Sequence, residues 1–286
     1  MPTLPLPPRT LVALALAVLA AGCSALAFVN ETAPANTYSR TANIAYGTHP
    51  RQQLDVYVPA EPQGRAPVVV FFYGGSWRTG ARSDYLFVGE ALASRGIVAV
   101  VADYRLYPEV RFPDFLSDSA RAVAWTVENI ERFGGDSARV FVMGHSAGAY
   151  NAAMVAFEPR YLASTGTPPR ALRGFVGIAG PYDFLPLSGR TLRGVFGYPD
   201  TPPETQPIHV VTAAAPPALL LTAADDGVVS PGNSSRLAAK LRNLGVPVRE
   251  VAYERLGHRT IVGAFAAPLR GLAPVLDDVT RFVQGT

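Results

Sequence analysis

The chain has 286 residues, of which 49% are hydrophobic and only 16% charged; that balance excludes a disordered protein and allows one large buried core. The net charge is +3 and the arginines are scattered, with no dense basic cluster, so no nucleic-acid partner is indicated. A single cysteine, Cys23, excludes an intramolecular disulfide.

The chain opens "MPTLPLPPRTLVALALAVLAAGC". Arg9, an apolar run from Leu11 to Ala21 and a small-residue ending form the outline of a secretory signal. The "LAAGC" ending resembles a bacterial lipobox. That resemblance implies a signal peptide over 1–22, cleavage between Gly22 and Cys23, and a lipid on Cys23. Cleavage elsewhere is one alternative and an uncleaved anchor another, because no charge appears between Arg9 and Glu31. Pro-rich flanks, and glycine, cysteine and serine inside the run, argue against the anchor. In all three readings, the folded part lies outside the cytoplasm. The first reading places it in a bacterial cell envelope, held to a membrane by its N-terminal lipid and facing the periplasm or the exterior.

Residues 23–41 are small and polar with little periodicity and read as a tether. From residue 42 to 286, strand and helix signals alternate. "QQLDVYVP" alternates polar and apolar residues and ends at proline, as an antiparallel or edge strand does. "PVVVFFYGG", "GIVAVVADY", "ARVFVMGH", "GFVGIAG" and "PALLLTAA" are apolar runs of the kind buried on both sheet faces. "VPVREVAYE" predicts a last, more exposed strand. Between them, "YLFVGEALASRG", "FPDFLSDSARAVAWTVENIERFGG" and "GNSSRLAAKLRNLG" repeat apolar residues at helical spacing and stop at glycines. This order predicts an α/β domain with a mostly parallel sheet covered on both faces. The proline- and glycine-rich stretch 181–216 breaks the rhythm and is expected to form a small cap.

Open parallel sheets bind ligands beyond the carboxyl ends of their strands. There the sequence places "GHSAG", residues 144–148, between an apolar strand and a helix. It matches the G-x-S-x-G nucleophile elbow, with Ser146 at the apex and the Ala147 N–H available to a developing oxyanion. A serine hydroxyl needs a base. Of four histidines, His49 precedes the core, His209 lies in the insertion, and His145 is the serine's neighbour on a sharp turn, so its side chain points away. His258, just after the last strand, is the candidate base. Asp225 and Asp226 both follow "PALLLTAA" and offer the carboxylate; analogy with triads of this kind favours Asp226, with Asp225 as a flanking residue. "YGGSW" after an apolar strand supplies a second glycine turn, whose Gly74 and Gly75 N–H groups would complete an oxyanion hole. No metal-ligand spacing appears.

These residues, in the order Ser146, Asp226, His258, resemble an α/β-hydrolase from the tether onward. More narrowly, "YGGSW", "ADYRLYPEVRFPDFLSD", "FGGDSARVFVMGHSAGAY" and "GIAGPYDF" resemble the bacterial carboxylesterase and feruloyl-esterase-like group. That group is related to hormone-sensitive-lipase-like esterases and kynurenine formamidases. The resemblance implies a serine hydrolase acting on small-molecule carboxylic esters, short-chain or aryl, through an acyl-enzyme and without a cofactor. Relatives usually carry His-Gly-Gly at the oxyanion turn, where Tyr73 stands here; the family histidine mainly braces that loop. Asp103 and Tyr104 match a segment that the resemblance makes structural. Two rival readings share the site: a formamidase cleaving an N-formyl aromatic amide, against which the extracytoplasmic address argues, and a non-catalytic surface lipoprotein with a binding role, which has no need of all three triad residues.

Overall fold

The structure, a computed structural model, describes residues 23–197 and 199–285. The signal peptide expected over 1–22 lies outside them. Among the described residues one sheet contains β1 (Tyr38–Ala45), β2 (Gln53–Pro59), β3 (Ala66–Phe72), β4 (Val98–Ala102), β5 (Gly135–His145), β6 (Leu172–Ile178), β7 (Ala218–Ala223) and β8 (Val248–Tyr253). Their spatial order is β1-β2-β4-β3-β5-β6-β7-β8. The β1–β2 and β2–β4 pairs are antiparallel and the remaining pairs parallel.

The continuous apolar runs became the central parallel strands. Every residue of β3, β4 and β7 is buried, as a strand covered on both faces requires. Each fully buried Val, Leu or Phe side chain there contributes about 1.5–3 kcal/mol. β8 is only half-buried, in line with its mixed sequence.

Helices α1 (Cys23–Glu31), α2 (Leu86–Ala93), α3 (Asp114–Asn129), α4 (Ala147–Phe157), α5 (Pro159–Ala163), α6 (Gly189–Phe196), α7 (Pro207–Val210), α8 (Gly232–Asn243), α9 (Thr260–Gly263) and α10 (Val275–Gly285) cover the sheet. α3, α4, α7 and α8 pack with one another on one face; α1, α2 and α10 gather on the other. The helical turns after α3 end at Gly134, whose φ of 78° stops the helix in the left-handed region.

The stretch read as a tether differs from that expectation. It contains α1 and the first half of β1. Val29 is buried, and Asn30 donates to Ser83 O at 2.8 Å and accepts from Phe87 N–H at 3.2 Å. β1 is exposed at nearly every position, so it has no alternation to betray it. It also covers β2, which the sequence read as a possible edge strand and which lies one place in.

The insertion 181–216 forms α6, α7 and a single 3₁₀ turn at Pro203–Thr205. It packs on the body of the domain. Tyr150 Oη on α4 donates to Thr205 O at 2.6 Å, and Phe112 N–H donates to Val195 O at 2.9 Å.

Candidate active site

β3, β5, β7 and β8 run in the same direction, and their carboxyl ends lead into "YGGSW", Ser146, Asp226 and His258 respectively. β3 and β5 are neighbours, with Phe72 opposite Gly144. The oxyanion turn and the serine turn therefore leave the sheet side by side.

Ser146 has φ 54° and ψ −122°, and α4 begins at the next residue. A non-glycine residue there is strained, and the surrounding structure must hold it. Ser146 N–H donates to Ile178 O at 2.9 Å, and its carbonyl accepts from Ala149 and Tyr150. The flanking glycines are required by contact. A Cβ on Gly144 would lie 2.2 Å from Gly148 O, and one on Gly148 would lie 2.0 Å from Phe72 O. Strand and helix thus approach more closely than any side chain allows.

The three expected triad positions meet. His258 Nε2 lies 2.8 Å from Ser146 Oγ, and His258 Nδ1 lies 2.7 Å from Asp226 Oδ2. A carboxylate only accepts, so Nδ1 carries the proton and Nε2 offers its lone pair to the serine hydroxyl. The other oxygen, Asp226 Oδ1, accepts from the N–H groups of Val228 and Val229, both at 2.8 Å. The carboxylate side chain is 2% exposed. Asp225 is exposed and does not reach His258. The choice between the two aspartates is a matter of loop geometry: "DGVV" turns back to cap its own first carboxylate.

Gly74 lies against the serine. A Cβ on it would sit 2.9 Å from Ser146 Cβ and 3.1 Å from His145 Nδ1. The N–H groups of Gly74 and Gly75 meet no acceptor among the described residues. Ala147 N–H opens α4, where no earlier turn supplies a carbonyl. Gly74 and Ala147 thus flank the serine, and Gly75 follows Gly74 in the same turn. Among the described residues, no group of three or more His, Cys, Asp or Glu side chains could hold a metal ion.

The BD-FAE family profile matches residues 54–241, from within β2 to the last turn of α8. The chain belongs to the BD-FAE family. Esterase LipC of Mycobacterium tuberculosis is 30% identical over 272 residues, 85% of this chain and 66% of that protein. Isoprenylcysteine α-carbonyl methylesterase of Arabidopsis thaliana is 28% identical over 264 residues, 85% of this chain and 61% of that protein. The chain spans from 35% to 66% of the length of the curated relatives it matches. Among solved structures, a hyperthermophilic esterase from Pyrobaculum calidifontis aligns with a TM-score of 0.75 and 22% identity, over 100% of this chain and 99% of that one. The fold is that of the α/β-hydrolases.

In this BD-FAE chain, the residue at the head of the oxyanion turn is Tyr73. It is fully buried; its hydroxyl donates to Asp103 Oδ1 at 2.7 Å and accepts from Arg51 at 2.6 Å. Burial, with Asp103 beside it, pushes the phenol well above its ordinary pKa, so it stays a neutral donor. Asp103 also accepts from Arg82 N–H at 2.7 Å and pairs with the Arg82 guanidinium. Sequence reading left Asp103 as structural and missed Arg51 and Arg82, which carry no local motif; the fold brings all three beneath the turn.

His145 does not face Ser146, as the sharp turn predicts. It has a different partner: its Nε2 lies 2.8 Å from the carbonyl oxygen of His258. Burial and the nearby His258 push its pKa down to about 3, so it is neutral. The insertion meets the same region from the side. Trp77, two residues past Gly75, packs edge-on against Phe196 of α6 at 4.9 Å and Tyr150 of α4 at 5.2 Å. Its indole N–H donates to Asn151 Oδ1 at 2.9 Å. The stretch expected as a cap therefore touches the oxyanion turn through Phe196.

Proposed function

We propose that this chain is a carboxylic-ester hydrolase working through an acyl-enzyme on Ser146. The observation that carries the reading is the pair of contacts on one imidazole: Ser146 Oγ at 2.8 Å on Nε2 and Asp226 Oδ2 at 2.7 Å on Nδ1. Its esterase relatives support it.

In this reading, His258 Nε2 takes the hydroxyl proton as Ser146 Oγ attacks the ester carbonyl carbon. The carbonyl π electrons move to oxygen. The N–H groups of Gly74, Gly75 and Ala147 receive that oxyanion, each contributing on the order of 3 kcal/mol in the transition state. Asp226 stabilises the imidazolium and fixes its orientation. The tetrahedral species collapses, the C–O bond to the alcohol breaks, and His258 returns the proton to the departing oxygen. Water then attacks the acyl carbon, giving a proton to His258; the bond to Ser146 Oγ breaks, His258 returns the proton to that oxygen, and the acid leaves. No step calls for a cofactor.

Purified protein should hydrolyse p-nitrophenyl acetate, and Ser146→Ala should abolish this while keeping the circular dichroism spectrum. Activity retained in Ser146→Ala overturns the reading. An N-formyl aromatic amide assayed beside the ester separates an esterase from a formamidase using the same residues.

We further propose that the protein is exported and anchored to a membrane of the bacterial cell envelope by lipid on Cys23, on the strength of the "LAAGC" ending. Cys23→Ser should stop incorporation of labelled palmitate in cells; continued labelling rejects the anchor.

A further inference from the structure

We infer that Tyr73 is a positioning residue for the oxyanion turn, acting with Arg51 and Asp103 to fix where the Gly74 and Gly75 N–H groups point; the inference rests on the ester-hydrolase reading above. The loop from Tyr73 to Gly80 is closed upon the tyrosine itself. The Tyr73 ring is stacked between Tyr85, at 5.4 Å, and Tyr104, at 5.0 Å. Gly80 sits so near that a Cβ on it would lie 2.8 Å from that ring and 3.0 Å from Gly74 O. A single guanidinium nitrogen, Arg51 Nη2, donates to Tyr73 Oη at 2.6 Å and to Gly80 O at 2.8 Å. It therefore ties the two ends of the loop together. Arg51 Nε is fixed in turn by Tyr104 O at 2.9 Å.

The backbone is held as firmly as the ring. Tyr104 Oη donates to Tyr73 O at 2.8 Å. Across a trans peptide the carbonyl and the following N–H point in opposite directions. Holding Tyr73 O toward Tyr104 thus aims Gly74 N–H away from it. Donors in an oxyanion hole act only where they are already aimed when charge develops. A displacement of about 1 Å costs up to about 100-fold in rate.

A phenol hydroxyl stands further from the backbone than either nitrogen of an imidazole. The longer side chain at position 73 is matched here by a buried acceptor and donor at its tip. Arg51 Nη2 and Asp103 Oδ1 form an ion pair at 3.8 Å, and the hydroxyl bridges them by hydrogen bonds on either side. The direct distance is too long for a hydrogen bond, so the phenol supplies the hydrogen-bonded link within this ion pair.

The test is Tyr73→Phe, which keeps the ring and removes one oxygen. With p-nitrophenyl acetate, kcat should fall about 10- to 100-fold with KM within about twofold, the pattern of a lost transition-state interaction. Affinity for an aryl boronic acid, whose serine adduct is tetrahedral, should fall by the same factor. Affinity for the corresponding uncharged aryl ketone should stay constant. Arg51→Lys should give the same split, since an ammonium cannot span three oxygens in the guanidinium's plane. It carries the test alone if Tyr73→Phe does not fold. Wild-type kcat and boronate affinity in both variants overturn the inference, as does an equal loss of boronate and ketone binding. Ser146→Ala run in parallel keeps the two claims apart. Activity there sinks the esterase reading itself, whereas an inactive Ser146→Ala beside an unaffected Tyr73→Phe sinks only the role of Tyr73.

Discussion

His145 Nε2 and the carbonyl oxygen of His258 are 2.8 Å apart. A carbonyl only accepts, so His145 is the tautomer with its proton on Nε2, and it ties the loop of the base to the residue beside the nucleophile. Its ring is buried, 4.9 Å from that of His258. His258 and Asp226 face this ring.

A stability–pH relation follows. In the unfolded chain His145 takes up a proton near its ordinary 6.5, and in the fold only near 3. Between those values the unfolded state binds the extra proton, so stability falls as pH drops, by up to about 1.4 kcal/mol per unit. His145→Gln keeps an N–H donor near the same place but does not titrate. Urea midpoints measured from pH 7 to about 4 should decline less steeply in this variant. An unchanged slope would assign the acid sensitivity to other groups.

The two adjacent aspartates should separate cleanly. Asp226→Asn should lower kcat by about 10³- to 10⁴-fold, because His258 then loses its counter-charge and is held in the wrong tautomer. Asp225→Asn should stay within about threefold of wild type. Equal losses in both variants would mean that the Asp226 contact to His258 does not govern catalysis.

Gly148→Ala should be among the most damaging single methyl additions. Its Cβ would meet Phe72 O at 2.0 Å and Tyr73 O at 2.5 Å. Both are backbone atoms of a central strand and its exit turn, and neither can rotate aside. A loss of at least about 3 kcal/mol, or failure to accumulate folded protein, is the expected result. A urea midpoint within error of wild type would contradict the tight strand–helix contact.

Phe196 fastens the insertion to the domain. It packs with Trp77, Tyr150, Phe112, Phe115 and Phe184. Phe196→Ala should cost about 3–5 kcal/mol. Limited proteolysis should then cut within 181–216 earlier than in wild type. Equal cleavage rates would show that the aromatic contacts do not hold this segment.

Sequence alone made the buried parts of the fold legible, because burial on both faces leaves unbroken apolar runs such as "PVVVFF". It missed β1, since an exposed edge strand is specified by backbone pairing to β2, and its side chains record nothing of that. The Ser146–His258 pair was legible because only one serine turn and one well-placed histidine were available. The acid was narrowed to two neighbours and no further, since capping of Asp226 by Val228 and Val229 is a property of the folded loop. Asp103 was legible only as structural, and Arg51 and Arg82 were beyond reach. Their partners lie from 21 to 53 positions away in the chain, and charged residues in loops read as solvated until the loops are placed.

The backbone at Ser146, with φ 54° and ψ −122°, places function and durability in opposition. Strain of this sort costs about 1–3 kcal/mol in a residue with a side chain. Glycine would shed it, offset in part by the greater freedom it gives the unfolded chain. Ser146→Gly should therefore melt above the wild type while hydrolysing nothing. A population of variants sorted only by survival on heating should drift toward glycine at this position, growing hardier as it becomes inert.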